Sequence, residues 1–433
     1  MISLNQKNLE IENNHLWIGG CDTVELASKY GTPIYVINEQ TIRQRINELK
    51  DVLEKNYFKT RIHYAVKANT NASILKILLR EGAFLDCVSI GEIYIALSVG
   101  FSPDQILYTG NNYTNEDFEY ALAKGVTINL DALSQINRLD KIMKKTNSTC
   151  EVLSFRVNPE FGSGHHDHCI TAGPDIKFGI LESSIVQAYK EALQLGFPRF
   201  GIHMHIGSGI LEVEPFRIAA EKFLAIAGKI HAELGITFEF LDFGGGIGIP
   251  YTQDQEPFNL EDYSATILGL FKEKIAEYEL GDPFFCIEPG RFLVAESTII
   301  LSEVNTIKQT VSKNYIGIDA GFNNLIRPTM YGSYHEMVVA NKMTQEPTKI
   351  YEIAGPICET GDVLARDRHL PQIEEGDIIA ILDAGAYGFT MASNYNARPY
   401  AAEILVRDGQ SYVVRQRQPL DDLLKNQEIP EFL

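Results

Sequence analysis

Residues 214–246 read EPFRIAAEKFLAIAGKIHAELGITFEFLDFGGG: an amphipathic helix over 214–234, a stop at Gly235, an apolar strand over 239–243 and the triplet Gly244 to Gly246. Glycine closes such a helix because it takes the left-handed cap without steric cost. The same unit recurs from about residue 39 to residue 290. Helices are read over 39–56, 73–81, 90–99, 115–124, 132–145, 183–195, 214–234 and 261–280. Six of them are followed at once by glycine (Gly82, Gly100, Gly125, Gly196, Gly235, Gly281), and Ser89 with Glu92 makes a capping-box pattern at the third. Strands are read over 61–67, 84–88, 105–109, 127–130, 151–157, 200–206, 239–243 and 284–288. They are short and mostly apolar on both faces, as parallel strands covered by helices must be. Eight of each predict a closed (β/α)8 barrel in preference to a doubly wound open sheet.

After Gly290 the pattern changes. Ser297–Thr306, Tyr315–Asp319, Lys349–Ala354, Asp377–Asp383 and Glu403–Val406 read as strands with few helical stretches between them, which predicts a β-domain of sandwich or barrel type. The stretches around Trp17 and over Ile34–Ile37 read as strands too and can join it. The expected division is a barrel over 38–290 and a discontinuous β-domain from 1–37 and 291–433.

The 433 residues carry 57 acidic and 38 basic side chains, a formal net charge of −19. Nucleic-acid binders need a basic face, so that class is excluded. No apolar stretch approaches a membrane span. Met1 to Asn14 lacks the apolar run of a signal peptide. Six scattered cysteines (Cys21, Cys87, Cys150, Cys169, Cys286, Cys358) without a CxxC pair fit reduced thiols in a cytoplasmic protein.

Active sites of such barrels form at the C-terminal ends of the strands. There the first strand ends in Lys67, the second runs through Asp86, and the fifth through Arg156 to Asn158. The sixth ends in His205 with Gly207-Ser208-Gly209, the seventh in Gly244-Gly245-Gly246, and the eighth in Glu288-Pro289-Gly290-Arg291. Lys67 follows an apolar run, where it is either a surface lysine or a desolvated amine able to form a Schiff base. The glycine triplet is either a bend or a backbone cradle for phosphate. A carboxylate at Glu288 needs a partner, either Arg291 or a protonated heterocyclic nitrogen. His205 is either a core histidine or a ring-stacking imidazole. The run Gly164-His165-His166-Asp167-His168 looks like a metal site but has no second ligand group at metal spacing, and no metal is expected. Amine, phosphate cradle, imidazole and carboxylate together match the needs of pyridoxal 5′-phosphate.

Tyr64-Ala-Val-Lys67-Ala-Asn69, the His205-Ile-Gly-Ser-Gly209 loop, Gly244 to Gly246 and Glu288-Pro-Gly-Arg291 resemble the alanine-racemase-fold decarboxylases that use this cofactor. Tyr108-Thr-Gly-Asn-Asn112, the 164–168 run with Lys177-Phe-Gly-Ile180, and Arg327-Pro-Thr-Met-Tyr331 narrow the resemblance to the diaminopimelate decarboxylases. Cys358-Glu-Thr-Gly-Asp362 and Asp383-Ala-Gly-Ala-Tyr387-Gly388 complete a set that spans nearly the whole chain.

The resemblance implies decarboxylation of meso-2,6-diaminoheptanedioate to L-lysine. Lys67 then carries the internal aldimine, His205 stacks on the ring and Glu288 keeps the ring nitrogen protonated. Ser208, Gly244, Gly245, Gly246, Gly290, Arg291 and Tyr387 contact the cofactor, most of them at its phosphate. Arg291, Arg327, Tyr331, Glu359 and Tyr387 bind the diamino dicarboxylate, and Cys358 donates the proton. The resemblance also implies a homodimer in which the Cys358 segment reaches the other subunit's site, with an ion pair of Lys177 and Asp362 across the interface. Ile90 stands where the family has glycine, which stiffens one turn and touches no group that does chemistry. The alternatives are a related decarboxylase of another basic amino acid or of carboxynorspermidine, a racemase, and a cofactor-free regulatory homologue. Glu288 argues against the racemase, and Lys67, Glu288 and Cys358 together argue against the regulator.

Overall fold

Eight parallel strands close on themselves among the described residues of the computed structural model, which are 8–164, 166, 171–173 and 175–433. The strands are Thr60–Ala65, Phe84–Cys87, Ile106–Tyr108, Thr127–Leu130, Leu153–Asn158, Phe200–His203, Phe238–Asp242 and Phe284–Ile287. Each pairs with its neighbours, and Thr127–Leu130 joins Leu153–Asn158 in the register Ile128 to Leu153. The expected closed barrel is therefore the observed one. A helix precedes each strand, and those at Glu39–Asn56, Ile90–Val99, Asn115–Lys124 and Glu214–Leu234 keep the bounds read from the sequence. Gly100, Gly125 and Gly235 end three of them in the left-handed conformation.

Two local readings change. The first strand stops at Ala65, and a 3-10 turn over Val66–Ala68 carries Lys67 clear of the ladder. At the third helix Ser89 accepts the Glu92 N–H at 3.2 Å, but the Glu92 carboxylate reaches past Ser89 to the Val88 N–H at 2.7 Å. Only half of the capping box therefore forms, and burial pushes the Glu92 carboxyl up to about 7. Ile90 opens this helix in regular backbone, where no glycine is needed.

The chain divides into two compact units. One comprises Arg43–Pro250 and Glu256–Leu293; the other takes the chain up to Ile42, Tyr251–Gln255 and Val294–Leu433. The second is mostly sheet. Its long strand Thr298–Gln309 pairs with Ile34–Asn38 and Ile378–Ile381 in its first half and with Asn314–Ile318 in its second. Ile34–Asn38 also lies parallel to Ala402–Arg407, so an N-terminal strand sits between two C-terminal ones. Val363–Leu370 and Gln410–Arg415, at the sheet's ends, escape the sequence reading; the former carries Arg366, Asp367 and Arg368 and bulges near Asp367, whose φ is 53°.

The glycines of the Asp383–Gly388 motif have a packing role. Gly385 lies so close to Val294 that a Cβ there would stand 1.8 Å from its carbonyl oxygen. Replacing Gly385→Ala is expected to cost about 1–3 kcal/mol, the usual penalty of overpacking. The check is the urea midpoint of the first unfolding transition, which should fall.

Candidate active site

Lys67 stands between buried Val66 and Ala68, which anchor its turn, while its own side chain stays 32% exposed. Its Nζ lies 2.6 Å from Oδ2 of Asp86, whose side chain is fully buried, and the Thr109 hydroxyl donates to Oδ1. Burial raises the Asp86 pKa, the charge of Glu288 raises it further, and Lys67 and Thr109 offset part of that. The amine therefore has a fixed counter-charge inside the barrel.

Glu288 does not pair with Arg291, the protein partner offered for it by the sequence. His203 Nε2 lies 3.0 Å from Glu288 Oε2, both groups almost wholly buried. Arg291 Nη2 instead donates to Ser208 Oγ at 3.2 Å. Glu288 Oε1 has no hydrogen-bond partner among the described residues. Behind this pair, His63 Nδ1 lies 3.1 Å from Asp242 Oδ2, and Asp242 Oδ1 accepts the Gly244 N–H at 2.8 Å. Arg156, His203 and Asp242 are register partners on three adjacent strands. Burial opposes a charge on His203, but Glu288 and then Asp242 outweigh it and raise its pKa. His205 behaves the other way: burial first, then Arg156, Lys67 and His203, hold its pKa well below the ordinary value. A neutral, flat imidazole results.

The small-residue loops are held together by backbone. Ile210 accepts from Gly248 and donates to Gly246, each at 2.9 Å. A Cβ on Gly244 would meet the Met204 carbonyl at 2.4 Å, and one on Gly245 the Glu288 carbonyl at 2.2 Å. Gly290 similarly faces the Cβ atoms of Ala68 and Ala65 at 3.0 and 3.2 Å. These glycines are thus required by close approach of strand ends, which leaves a cradle of backbone beside Ser208 and Arg291.

The other expected residues belong to the β-rich unit. Arg327 is fully buried, with Nη1 2.8 Å from His335 Nε2 and its guanidinium 4.9 Å from the Tyr251 ring centroid. His335 Nδ1 lies 2.9 Å from the Leu382 carbonyl, so a neutral His335 protonated at Nδ1 satisfies both contacts. Tyr331 ends the short helix begun by Arg327. Cys358 is exposed, its N–H donating to Asn396 at 2.9 Å, and the Tyr395 hydroxyl donates to Glu359. Tyr387 is half-buried with φ 58°, an unusual conformation for an aromatic residue and one often kept at functional sites. Asp362 is buried, and its two oxygens take the N–H groups of Phe322 and Ile357 at 2.7 and 2.8 Å. These two bonds tie its loop to the Phe322 segment.

His165, Asp167 and His168 of the histidine run lie outside the described residues. Among the described residues, His63–Asp242–Cys286 and His203–Asp242–Glu288 come within ligating range of one another. The hydrogen bonds above engage His63, Asp242, one nitrogen of His203 and one oxygen of Glu288. Sequence reasoning missed His63, His203 and Asp242; the one signal for His203 was its place two residues before His205, at the end of its strand.

A half-buried amine at a barrel mouth, a buried carboxylate with one oxygen unengaged, and a cradle too tight for any Cβ fit pyridoxal phosphate, and they define the class of barrel enzymes that use it. A family model described as the pyridoxal binding domain of pyridoxal-dependent decarboxylases matches residues 39–295. The diaminopimelate decarboxylase of Methanothermobacter thermautotrophicus is 50% identical over 422 residues, covering 98% of this chain and 97% of the relative. That of Archaeoglobus fulgidus is 41% identical over 419 residues, covering 96% and 98%. A crystal structure of the Methanocaldococcus jannaschii diaminopimelate decarboxylase superposes with a TM-score of 0.93 at 33% identity, covering 99% of this chain and all of the other. The chain belongs to the diaminopimelate decarboxylases, within the pyridoxal-dependent decarboxylases. It is a carboxy-lyase with a small-molecule substrate and pyridoxal phosphate as cofactor. Among the described residues, no helix is long and apolar enough to cross a membrane.

The His205 environment makes a stability prediction. The unfolded imidazole gains a proton near its ordinary pKa of about 6.5, which the folded one refuses, so stability is present above that pH and is lost as pH falls through it. Between about pH 7 and pH 5 the wild type should lose roughly 1–2 kcal/mol more than His205→Gln does. Urea titrations of both proteins at the two pH values measure the difference, and His203 is common to both.

Proposed function

We propose that the enzyme converts meso-2,6-diaminoheptanedioate to L-lysine and CO2 with Lys67 as the amine that binds the cofactor's aldehyde. The observation that carries this is Lys67 Nζ at 2.6 Å from buried Asp86, an amine held at the barrel mouth with its counter-charge beneath it. Relatives from Helicobacter pylori and Methanocaldococcus jannaschii have been solved with L-lysine bound, which supports lysine as the product here. When bound, pyridoxal phosphate supplies the sink for the electron pair left at Cα as the bond to the carboxylate breaks.

The chain's own groups do the rest. With the cofactor bound, His205 would lie against its ring, and Glu288 would accept a hydrogen bond from the protonated ring nitrogen. Ser208, Gly244, Gly245, Gly246, Gly290, Arg291 and Tyr387 hold the cofactor, chiefly its phosphate. Arg291 and Arg327 take carboxylates of the substrate, since a planar guanidinium pairs with them bidentately. Glu359 takes the distal ammonium, with Tyr331 and Tyr387 beside it. Once the bond to the carboxylate has broken and CO2 has left, Cys358 would give a proton to Cα, and lysine remains.

Cys358 acts on the site of a second subunit in this reading, which makes the enzyme a homodimer with shared sites. Support comes from the exposure of Cys358 and from the adjoining groove of about 520 Å3, lined in part by Tyr315, Glu359 and Arg398. The free thiols of Cys21, Cys87, Cys150, Cys286 and Cys358 fit a cytoplasmic enzyme.

Lys67→Ala should abolish both the absorbance of the lysine-bound cofactor and CO2 release. Against a panel of diaminopimelate, lysine, ornithine, arginine and carboxynorspermidine, the wild type should release CO2 from diaminopimelate; faster turnover of a substrate without the distal carboxylate overturns the reading. Lys67→Ala and Cys358→Ala, each inactive alone, should regain up to about a quarter of wild-type activity when mixed and allowed to exchange subunits, because half the dimers then carry one intact site. No recovery despite demonstrated exchange would refute shared sites.

A further inference from the structure

We propose that His203 is a positioning residue that holds one oxygen of Glu288 and so reserves the other for the cofactor's ring nitrogen. This rests on the reading of Glu288 given above and goes beyond it by naming what orients that carboxylate. A carboxylate on a single rotatable stem has no fixed direction unless a second group holds it. Inside the barrel that group is His203: Nε2 lies 3.0 Å from Oε2, and both side chains are almost wholly removed from water. Oε1 is buried and has no partner among the described residues. A buried acceptor left unengaged costs about 1–3 kcal/mol, so its retention beside a held oxygen points to a ligand donor.

His203 uses its ring for Glu288 alone, its Nδ1 being buried with no partner among the described residues. It is the register neighbour of Asp242, and Asp242 is fixed by the His63 ring at 3.1 Å and the Gly244 N–H at 2.8 Å. The charged groups acting on His203 are Glu288 and Asp242, which favour its proton, and Arg156, which opposes it. The row thus runs from His63 through Asp242 and His203 to Glu288, across strands one, seven, six and eight. Gly244 ties it to the glycine cradle, so the loop assigned to phosphate and the carboxylate assigned to the ring share one support. Neither His63 nor His203 is given contact with substrate in this reading.

The test uses holoenzyme reconstituted with cofactor carrying a heavy-nitrogen label in its ring, and reads the ring nitrogen's protonation by NMR together with kcat and KM. Wild type should show the pyridinium shift. His203→Leu removes the donor and should move the shift toward neutral pyridine, as Glu288→Gln does. Its kcat should fall by at least about tenfold with KM within about twofold, the scale of a lost hydrogen bond to a charged group. His203→Gln, whose amide reaches the position of Nε2, should restore both. A neutral ring in wild type, or no change in Glu288→Gln, overturns the reading of Glu288 and the proposal with it. A shifted Glu288→Gln beside an unchanged His203→Leu overturns the role of His203 alone. If His203→Leu does not fold, the shorter amide in His203→Asn carries the test: a shift and kcat equal to those of the Gln variant overturn the proposal, and values below them support it.

Discussion

Closure of the parallel sheet is the constraint on which the rest of the structure depends. Once Thr127–Leu130 pairs with Leu153–Asn158, side chains that point inward have no water to turn to. In most barrels that interior is filled with branched apolar residues. Here the buried polar set includes His63, Asp86, Asn129, Arg156, His203, Asp242 and Glu288. Desolvating each charge costs several kcal/mol, and only close, hydrogen-bonded partners of opposite sign offset it. The pairs Lys67–Asp86 and His203–Glu288 are such partners, and the His63 ring hydrogen-bonds Asp242.

The same burial that makes these groups costly gives them their chemistry. Fixed dipoles and charges in a low-dielectric interior act more strongly than in water, and they need no reorganisation during a reaction. Asp86 stands 2.6 Å from the Lys67 amine, and Glu288 stands 3.0 Å from the His203 ring. Burial first, then Arg156 and Lys67, favour the neutral form of His205. A net charge of −19 describes the surface of this protein and says nothing of this row.

Much of this was legible in the residues. The helix, glycine and strand unit located all eight barrel strands, since glycine caps and apolar runs are local signals. Lys67, His205, Glu288 and the glycine loops were legible as a rim because strand ends in a barrel share one side. The partner of Glu288 was not: Arg291 is three residues away in sequence, whereas His203 lies on another strand and meets Glu288 only through closure. Val363–Leu370 was missed because a strand with charges on both faces and a bulge lacks the alternation that marks a strand.

The amino-acid sequence by itself determined the repeating unit, its count and the identities of the groups at the barrel mouth. Those depend on local propensity, capping and periodicity, which act over a few residues. Only the tertiary structure decided which buried groups pair, why Gly244, Gly245 and Gly385 admit no Cβ, and that an N-terminal strand, Ile34–Asn38, is built into a sheet of C-terminal ones. Pairing, close approach and register are set by contacts between residues far apart in the chain, and only folding places those side by side.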